Sequence, residues 1–86
     1  MAEFSSMIRL VFLGRLADLA GAPERILSVQ DPMKYDALIA ELGHDLAAAL
    51  GDVKIKLALN GALVSRDGLT VAPGDELAFL PPVSGG

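Results

Sequence analysis

The stretch that decides the architecture reads ELAFLPPVSGG and covers residues 76–86. It begins with Glu76 followed by an apolar run over residues 77–80, and residues 76–80 are predicted to form a strand. Pro81 and Pro82 follow at once, and because proline fixes φ, both favour an extended path away from that strand. The stretch therefore predicts a strand that passes without a linker into a projecting tail over residues 81–86.

The last two residues of the tail are Gly85 and Gly86. Neither residue has a Cβ, so the backbone and a terminal carboxylate can enter a slot too narrow for other residues. Six extended residues span roughly 20 Å, which is enough to reach a partner's active site while the folded body stays outside. A frayed end is the simpler interpretation of a terminal Gly-Gly pair. The absence of a polar spacer before the tail favours a functional one.

Composition limits what the rest of the chain can do. Its 86 residues suffice for one small domain, and 52% hydrophobic with 21% charged residues fits a compact fold. There is no cysteine, so any sulfur chemistry must use sulfur from another molecule. The formal net charge of −4, without a basic block, argues against a nucleic-acid partner.

Neither a membrane span nor a signal peptide is predicted. The longest apolar runs fall far short of the roughly 20 residues that cross a bilayer. Residues 1–6 lack the charged and apolar regions of a signal peptide, so we expect a cytoplasmic protein whose first six residues form a flexible extension. Met7 is a candidate alternative start.

Three elements are predicted before the centre of the chain. Alternating apolar residues predict a strand over residues 7–13, good helix formers predict one or two helical turns over residues 15–20, and a second strand follows over residues 25–29. Gly21 suits the position just after the helix.

The principal helix is predicted to begin near Asp31-Pro32, because aspartate is a good N-cap and proline suits the first helical position. A stripe at helical spacing follows, comprising Tyr35, Leu38, Ile39 and Leu42. Gly43 either ends this helix, with Asp45 capping a second short helix as far as Gly51, or is accommodated within one longer helix.

The remaining elements are strands. Residues 55–59 predict a third strand, and Asn60-Gly61 is a strong two-residue hairpin signal leading into residues 62–64. Residues 71–75, with Pro and Gly at the centre, predict a type II turn before the last strand. The simplest packing is an α+β domain over residues 7–80, a mixed sheet with one main helix on one face.

These motifs resemble a known family. The segment LALNGALVSRDGLTVAPGDELAFLPPVSGG over residues 57–86 and the opening strand followed by RLADLAG over residues 15–21 are similar to the sulfur-carrying small subunits of molybdopterin synthase, the MoaD/ThiS family. The Pro-Pro-Val-small-Gly-Gly ending is the most specific part of the match. The resemblance implies a ubiquitin-like β-grasp fold.

The resemblance also implies a chemistry for the tail. A partner adenylating enzyme (E1-like, MoeB-like) would use ATP to convert the Gly86 carboxylate to an acyl-adenylate, and sulfur from a sulfurtransferase would then make a thiocarboxylate. Gly85 would let the tail pass through a narrow channel of the large subunit (MoaE-like), which would supply the catalytic side chains. This chain would be the non-catalytic, sulfur-donating subunit of the heterotetramer, with no metal and no cofactor of its own, and cyclic pyranopterin monophosphate would be the acceptor.

A docking surface is predicted beside the tail. If Leu77 and Phe79 point towards the helix, the alternate residues lie on the open face of the sheet and form an apolar patch. With the tail, the predicted partner-binding residues are Val11, Leu13, Ala78, Leu80, Pro81, Pro82, Val83 and Ser84. His44, which is the single histidine, has no catalytic constellation near it in the sequence, and Asp75 and Glu76 are expected to shape or solvate a turn.

Two other functions remain open. A sulfur carrier for thiamine or cysteine synthesis would share the Gly-Gly ending. A ubiquitin-like modifier would join Gly86 to lysines of target proteins, because the same activated carboxylate accepts either sulfide or an amine.

Overall fold

The computed structural model describes residues 6–82. Within this range the strands and helices alternate in short segments, which in chain order are β1 (Met7–Phe12), α1 (Arg15–Ala20), β2 (Glu24–Ser28), β3 (Met33–Lys34), α2 (Tyr35–Ala40), α3 (His44–Leu50), β4 (Lys56–Leu59), β5 (Ala62–Val64), β6 (Thr70–Val71) and β7 (Glu76–Leu80). No helix in this range is long and apolar enough to cross a membrane.

A five-stranded mixed sheet organises the fold, with strand order β2-β1-β7-β4-β5. The central pair, β1 and β7, is parallel, while every other pairing in the sheet is antiparallel. The predicted α+β architecture with a mixed sheet is therefore confirmed. A second sheet of two strands, β3 and β6, was not predicted.

One face of the five-stranded sheet carries the core. Residues of β1 and β7 alternate between buried and partly exposed, as a sheet covered on one side requires. The buried side chains of these strands pack in a single cluster with those of α1, α2 and α3. The fully buried members of the cluster with the largest side chains are Phe12, Phe79, Ile8, Leu10, Leu38, Leu50, Leu77 and Val71.

The predicted start of the principal helix at Asp31-Pro32 is wrong. Helix α2 begins at Tyr35, and its N-cap is Lys34, whose φ of −72° and ψ of 151° are those of a strand. The cause is tertiary, because Met33 and Lys34 pair with β6 and the Tyr35 N–H donates to the Leu69 carbonyl at 3.0 Å. This pairing outweighs the local capping signal.

Gly43 separates two helices, which was one of the two alternatives. Its φ of 99° and ψ of 157° are not helical, so the alternative of one longer helix through Gly43 is wrong. Gly43 is the N-cap of α3, and Asp45 lies in the first turn rather than at the predicted capping position. The predicted apolar stripe is confirmed, since all four of its residues are buried: Tyr35, Leu38 and Ile39 in α2, and Leu42 two residues beyond its end.

The turns follow the glycine signals. Asn60 and Gly61 both have positive φ, at 51° and 89°, as a type I′ hairpin between β4 and β5 requires. Before β7, Gly74 has a φ of 95° and the Asp75 N–H donates to the Ala72 carbonyl at 3.0 Å, which closes the predicted turn. Asp75 also holds this turn with its side chain, which accepts from the Ala72 N–H at 2.9 Å.

Two side chains fix the end of α3 and the loop that follows. The Tyr35 hydroxyl donates to the Leu50 carbonyl at 2.8 Å, and the Arg66 guanidinium lies 5.6 Å from the centre of the Tyr35 ring. Arg66 donates to four backbone carbonyls, at distances of 3.3, 3.0, 2.8 and 2.8 Å, which belong to Leu50, Gly51, Asp52 and Ile55. The loop before β4 is thus held without regular secondary structure of its own.

Short segments of the chain precede β1 and follow β7. The Ser6 carbonyl accepts from the Val29 N–H at 2.9 Å, so the pairing between β1 and the end of β2 extends into the predicted extension. Residues 1–5 and 83–86 lie outside the described residues, and with them most of the predicted extension and the last four residues of the predicted tail.

We expect Tyr35→Phe to lower the free energy of unfolding by about 0.5–1.5 kcal/mol, because it removes one buried hydrogen bond. Burial raises the pKa of Tyr35 above its ordinary 10.0, with a smaller opposing effect of Arg66. The unfolded chain therefore loses the hydroxyl proton first, and stability that is present below pH 10 should fall as the pH rises above it. Chemical denaturation of both proteins at neutral and alkaline pH measures this. An equally steep alkaline loss in Tyr35→Phe would contradict the assignment to Tyr35, which is the single tyrosine of the chain.

Candidate functional site

Strand β7 lies at the centre of the sheet, between β1 and β4, and it leads directly to Pro81. Leu77 and Phe79 of this strand are completely buried. The Phe79 ring stacks on that of Phe12, with centroids 5.3 Å apart and an interplanar angle of 8°, and it meets the Tyr35 ring at 6.3 Å. The last strand is therefore held on both edges and on one face, which fixes the point where the tail begins.

The ladder between β1 and β7 continues to the root of the tail. The Leu13 N–H, one residue beyond β1, donates to the Phe79 carbonyl at 3.1 Å. Pro81 then passes directly over Gly14, where an added Cβ would lie 3.2 Å from the Pro81 Cγ. Gly14 has a φ of 57° and a ψ of −137°, a conformation that is essentially restricted to glycine.

Gly14 packs against the start of the tail, and the sequence analysis missed it. The available signal was a glycine between a strand and a helix, which usually indicates a turn. Nothing in the sequence reveals that the same glycine makes room for a proline 67 positions later, because that contact depends on the parallel pairing of β1 with β7.

A groove opens beside the tail root, between α1 and α3. Pro82 forms part of its wall, and its volume is about 560 Å³. The other lining residues are Arg15, Leu16, Asp18, Leu19, Ala48, Ala49, Asp52 and Ile55. Six of these nine lining residues are apolar, and the three charged ones are Arg15, Asp18 and Asp52.

The other side of the sheet is open, and the structure places the predicted patch there. Val11 and Ala78 are register partners on neighbouring strands, so their side chains share a face, and both are half-buried. Leu80 follows on the same face of β7 and is also half-buried, while Leu13 is 41% exposed. These residues adjoin the strand end that carries the tail. Their role in docking stays a prediction at this point.

Register adds further apolar residues to this face. Ala58 pairs with Ala78, and Leu63 pairs with Ala58, which carries the surface across β4 to β5. On the other side, Ile26 of β2 pairs with Arg9 of β1. Leu63 is 71% exposed and Ile26 is 47% exposed. We call the surface formed by Val11, Ala58, Leu63, Ala78 and Leu80 the open-face patch.

An ion-pair cluster borders the open-face patch at the end of the sheet away from the tail. The Arg9 guanidinium lies 2.7 Å from a Glu24 carboxylate oxygen and 3.1 Å from one of Glu76, and so bridges β2, β1 and β7. The hydrogen bond and charge of Glu24, with a smaller contribution from Glu76, raise the pKa of Arg9. All three side chains are well exposed, so their value lies in positioning charge rather than in stability.

The turns near this cluster are also cross-linked. The Asn60 amide donates to the Asp75 carboxylate at 3.0 Å, and the Asn60 side-chain oxygen accepts from the Glu76 N–H at 2.9 Å. Asp75 therefore shapes the turn, as expected, while Glu76 has its carboxylate on Arg9.

Residues 6–82 contain no grouping of three or more His, Asp or Glu side chains that could hold a metal ion. His44 is exposed at the first position of α3. The predicted carrier residue Gly86, its neighbour Gly85, and the predicted partner contacts Val83 and Ser84 lie outside the described residues. The described part of the chain thus combines a central strand that leads into Pro81-Pro82, a groove beside Pro82 and an apolar face of the sheet.

Comparison with known proteins bears on this arrangement. The ThiS family matches residues 10–86 of the chain. The molybdopterin synthase sulfur carrier subunit of Escherichia coli (strain K12) is 36% identical over 83 residues, which cover 93% of this chain and 100% of that protein.

Two solved structures share the fold. The crystal structure of SAMP1, a small archaeal modifier protein of Haloferax volcanii, matches with a TM-score of 0.72 and 31% identity, over 93% of this chain and 99% of that one. A chain in the complex of subunits 1 and 2 of the molybdopterin-converting factor of Helicobacter pylori matches with a TM-score of 0.62 and 26% identity, over 93% and 99% of the two chains. These matches confirm the predicted ubiquitin-like β-grasp fold.

We expect Gly14→Ala to lower the free energy of unfolding by about 1–3 kcal/mol, because alanine is strained in this backbone conformation. The added methyl group should also displace Pro81, which NMR chemical shifts of Pro81 and Pro82 would report. Gly68→Ala is the matched control, since Gly68 also has a positive φ, of 70°, but has open space around its missing Cβ. Unchanged shifts at Pro81 in a folded Gly14→Ala protein would contradict the proposed contact.

Proposed function

This chain belongs to the ThiS family, and from that premise we propose that it is the sulfur carrier subunit of a molybdopterin synthase. The observation that supports this most directly is the position of β7. The strand that leads into Pro81-Pro82 is the central strand of the sheet, and its fully buried Phe79 lies two residues before the tail. A carrier needs a fixed origin for its reactive tail, and the position of β7 provides one.

The proposed chemistry takes place on the Gly86 carboxylate. A carboxylate is a poor electrophile because its charge is delocalised, so a partner enzyme first transfers AMP to it from ATP and releases pyrophosphate. Attack by sulfide on this acyl-adenylate expels AMP and leaves a thiocarboxylate. The thiocarboxylate sulfur is a soft nucleophile that forms a C–S bond to cyclic pyranopterin monophosphate while a C–O bond of that precursor breaks. Hydrolysis of the acyl–sulfur bond then leaves the sulfur on the pterin and returns the Gly86 carboxylate.

The dimensions of the tail support delivery into a partner. Four residues follow Pro82, and an extended chain of four residues spans at most about 14 Å. An extended tail of this length is long enough to place Gly86 in a partner's active site, and Gly85 has no Cβ to obstruct a narrow channel. The active site is therefore proposed to lie on the large subunit, with this chain as the sulfur-donating subunit in the cytoplasm.

The large subunit is proposed to dock on the open-face patch and the tail. The Helicobacter pylori relative was solved as a complex of the two subunits of its converting factor, which is the assembly expected for this chain. The patch is continuous with the tail root through Leu80 and Pro81, so one partner can cover both. The adenylating enzyme and the sulfurtransferase that provides sulfur are the other proposed partners.

A protein modifier is the second candidate. The similarity to SAMP1 favours it, because that relative is described as a small archaeal modifier protein. The two functions share the activated Gly86 and differ in the nucleophile, which is sulfide for a carrier and a lysine amine for a modifier. A carrier for thiamine or cysteine synthesis would share the thiocarboxylate and differ only in the acceptor.

We expect top-down mass spectrometry of the untagged protein from its native host to find one oxygen replaced by sulfur at Gly86. Fragmentation must localise the change, because oxidation of a methionine alters the mass by nearly the same amount. Isopeptide-linked Gly86, without any thiocarboxylate in cells that make molybdenum cofactor, would favour the modifier instead.

Deletion of Gly86, or addition of one residue after it, should abolish sulfur transfer in a reconstituted synthase. Thermal unfolding should be unchanged, because the described core ends before the tail. Sulfur transfer by either variant at the rate of the unaltered protein would reject the carrier proposal.

Leu80→Glu should weaken the complex with the large subunit by about tenfold or more, because it places a charge in the proposed apolar contact. Val53→Glu is the matched control, since Val53 is 83% exposed and lies outside the sheet, in the loop before β4. Isothermal titration calorimetry with the large subunit compares the two. Equal affinities for both variants would place the interface elsewhere.

A further inference from the structure

The outer edge of β2 is the longest unpaired strand edge of the sheet in the described chain. β2 has five residues and a single neighbour, β1, whereas β5 at the opposite edge has three residues. We propose that a second copy of this chain docks here, through antiparallel pairing of β2 with β2 of the copy about a two-fold axis at Ile26. This inference does not depend on the sulfur-carrier function.

The hydrogen bonds at the two ends of β2 establish which backbone groups are free. The Pro23 carbonyl accepts from the Phe12 N–H at 2.8 Å, and the Val29 N–H donates to the Ser6 carbonyl at 2.9 Å, so both of these residues bond inward to β1. Bonding alternates along an antiparallel strand, so the residues at odd positions between them also bond inward. The N–H and C=O groups that point outward, away from β1, belong to Glu24, Ile26 and Ser28.

A two-fold axis at Ile26 pairs all of these outward groups. Ile26 then lies opposite Ile26 of the copy, and Glu24 lies opposite Ser28 in both directions. Each of these facing pairs exchanges backbone hydrogen bonds, as the closely spaced pairs of an antiparallel ladder do. The Ile26 side chain, 47% exposed in the single chain, is covered by its own counterpart.

The same register brings Arg25 to an acidic groove. Arg25 and Leu27 lie on the core side of the sheet, because their partners in β1, Leu10 and Ile8, are completely buried. In the dimer Arg25 of one copy lies opposite Leu27 of the other. Arg25 is exposed, and within residues 6–82 it makes neither an ion pair nor a hydrogen bond through its side chain.

The groove that receives Arg25 begins at Leu27. It has a volume of about 330 Å³ and runs between the end of β2 and the end of α2. Leu27, Val29 and Met33 give it an apolar floor, and Asp31 and Glu41 supply carboxylates. An arginine suits this site, because its aliphatic stem packs on apolar surface while its guanidinium meets the carboxylates.

Charge complementarity therefore favours a second copy as the occupant. One strand provides both the arginine and the edge of the groove, so a two-fold axis satisfies both sites at once, as in an isologous interface. The contact is small and the two chains carry a net charge of −4 each, so we expect a weak dimer that forms at high protein concentration.

The dimer leaves the tails available. A two-fold axis perpendicular to the sheet joins the two five-stranded sheets into one, with both open-face patches on the same side. The β7 strands of the two copies run in opposite directions, so the two tails leave at opposite ends. Each copy can then present its tail to a partner of its own.

Sedimentation equilibrium of the full chain, from micromolar to millimolar concentration, tests the proposal. We expect a shift from monomer to dimer as the concentration rises. Arg25→Glu should weaken the dimer at least tenfold, since a carboxylate would then face Asp31 and Glu41. Lys54→Glu makes the same change in net charge at an exposed site away from β2 and should leave the dimer in place. Adding Glu41→Arg to Arg25→Glu should restore it.

Amide hydrogen exchange locates the contact. The exchange of the Ile26 and Ser28 N–H groups should slow as the protein concentration rises, while that of Leu63 at the other edge should not change. A monomer at every concentration, an equal effect of Arg25→Glu and Lys54→Glu, or protection confined to the open-face patch would each overturn the proposal. So would dimerisation that appears only when residues 1–5 are deleted, because that segment would then be the occupant of the edge.

Discussion

The burial of Phe79 between Phe12 and Tyr35 is the contact on which the rest of the structure depends. It joins the first strand, the second helix and the last strand at one point, and each of the three rings is at most 3% exposed. Aromatic side chains contribute large buried areas, which a domain of this size needs because its core is small. The contact also fixes the position of β7 against the core, two residues before Pro81. The Phe79 side chain therefore contributes both to the stability of the domain and to the position from which the tail begins.

Alternate residues of the sheet face opposite sides, one towards the core and one towards the open face. In β7, Leu77 and Phe79 build the core, while Ala78 and Leu80 face outward beside the tail root. The outward face continues across the sheet to the exposed Ile26 of β2 and Leu63 of β5. A one-residue slip in the pairing of β1 with β7 would exchange these two sets. The register that places Leu77 and Phe79 in the core thus also determines which residues form the open-face patch.

Local signals in the sequence predicted the parts of the fold that local physics determines. Alternation located the last strand correctly, and Asn60-Gly61 marked a hairpin whose two residues indeed have positive φ. The start of α2 was missed because Met33 and Lys34 pair with residues 70 and 71, a partnership that no local window contains. The contributions of Gly14, Ile26 and Leu63 were missed for the same reason. Each depends on which strands become neighbours, and strand order is a property of the whole chain.

The parallel pairing of β1 with β7 couples the tail to the completion of folding. β7 is the last strand described, yet it fills the central position, so a chain that lacks it has nothing to join β1 to β4. Contacts between the two ends of a chain close its largest loop, which makes them slow to form and late to appear during synthesis. The sheet is therefore completed by the same segment that anchors the tail. A partner that required the open-face patch and the tail together would consequently bind only chains that have finished folding.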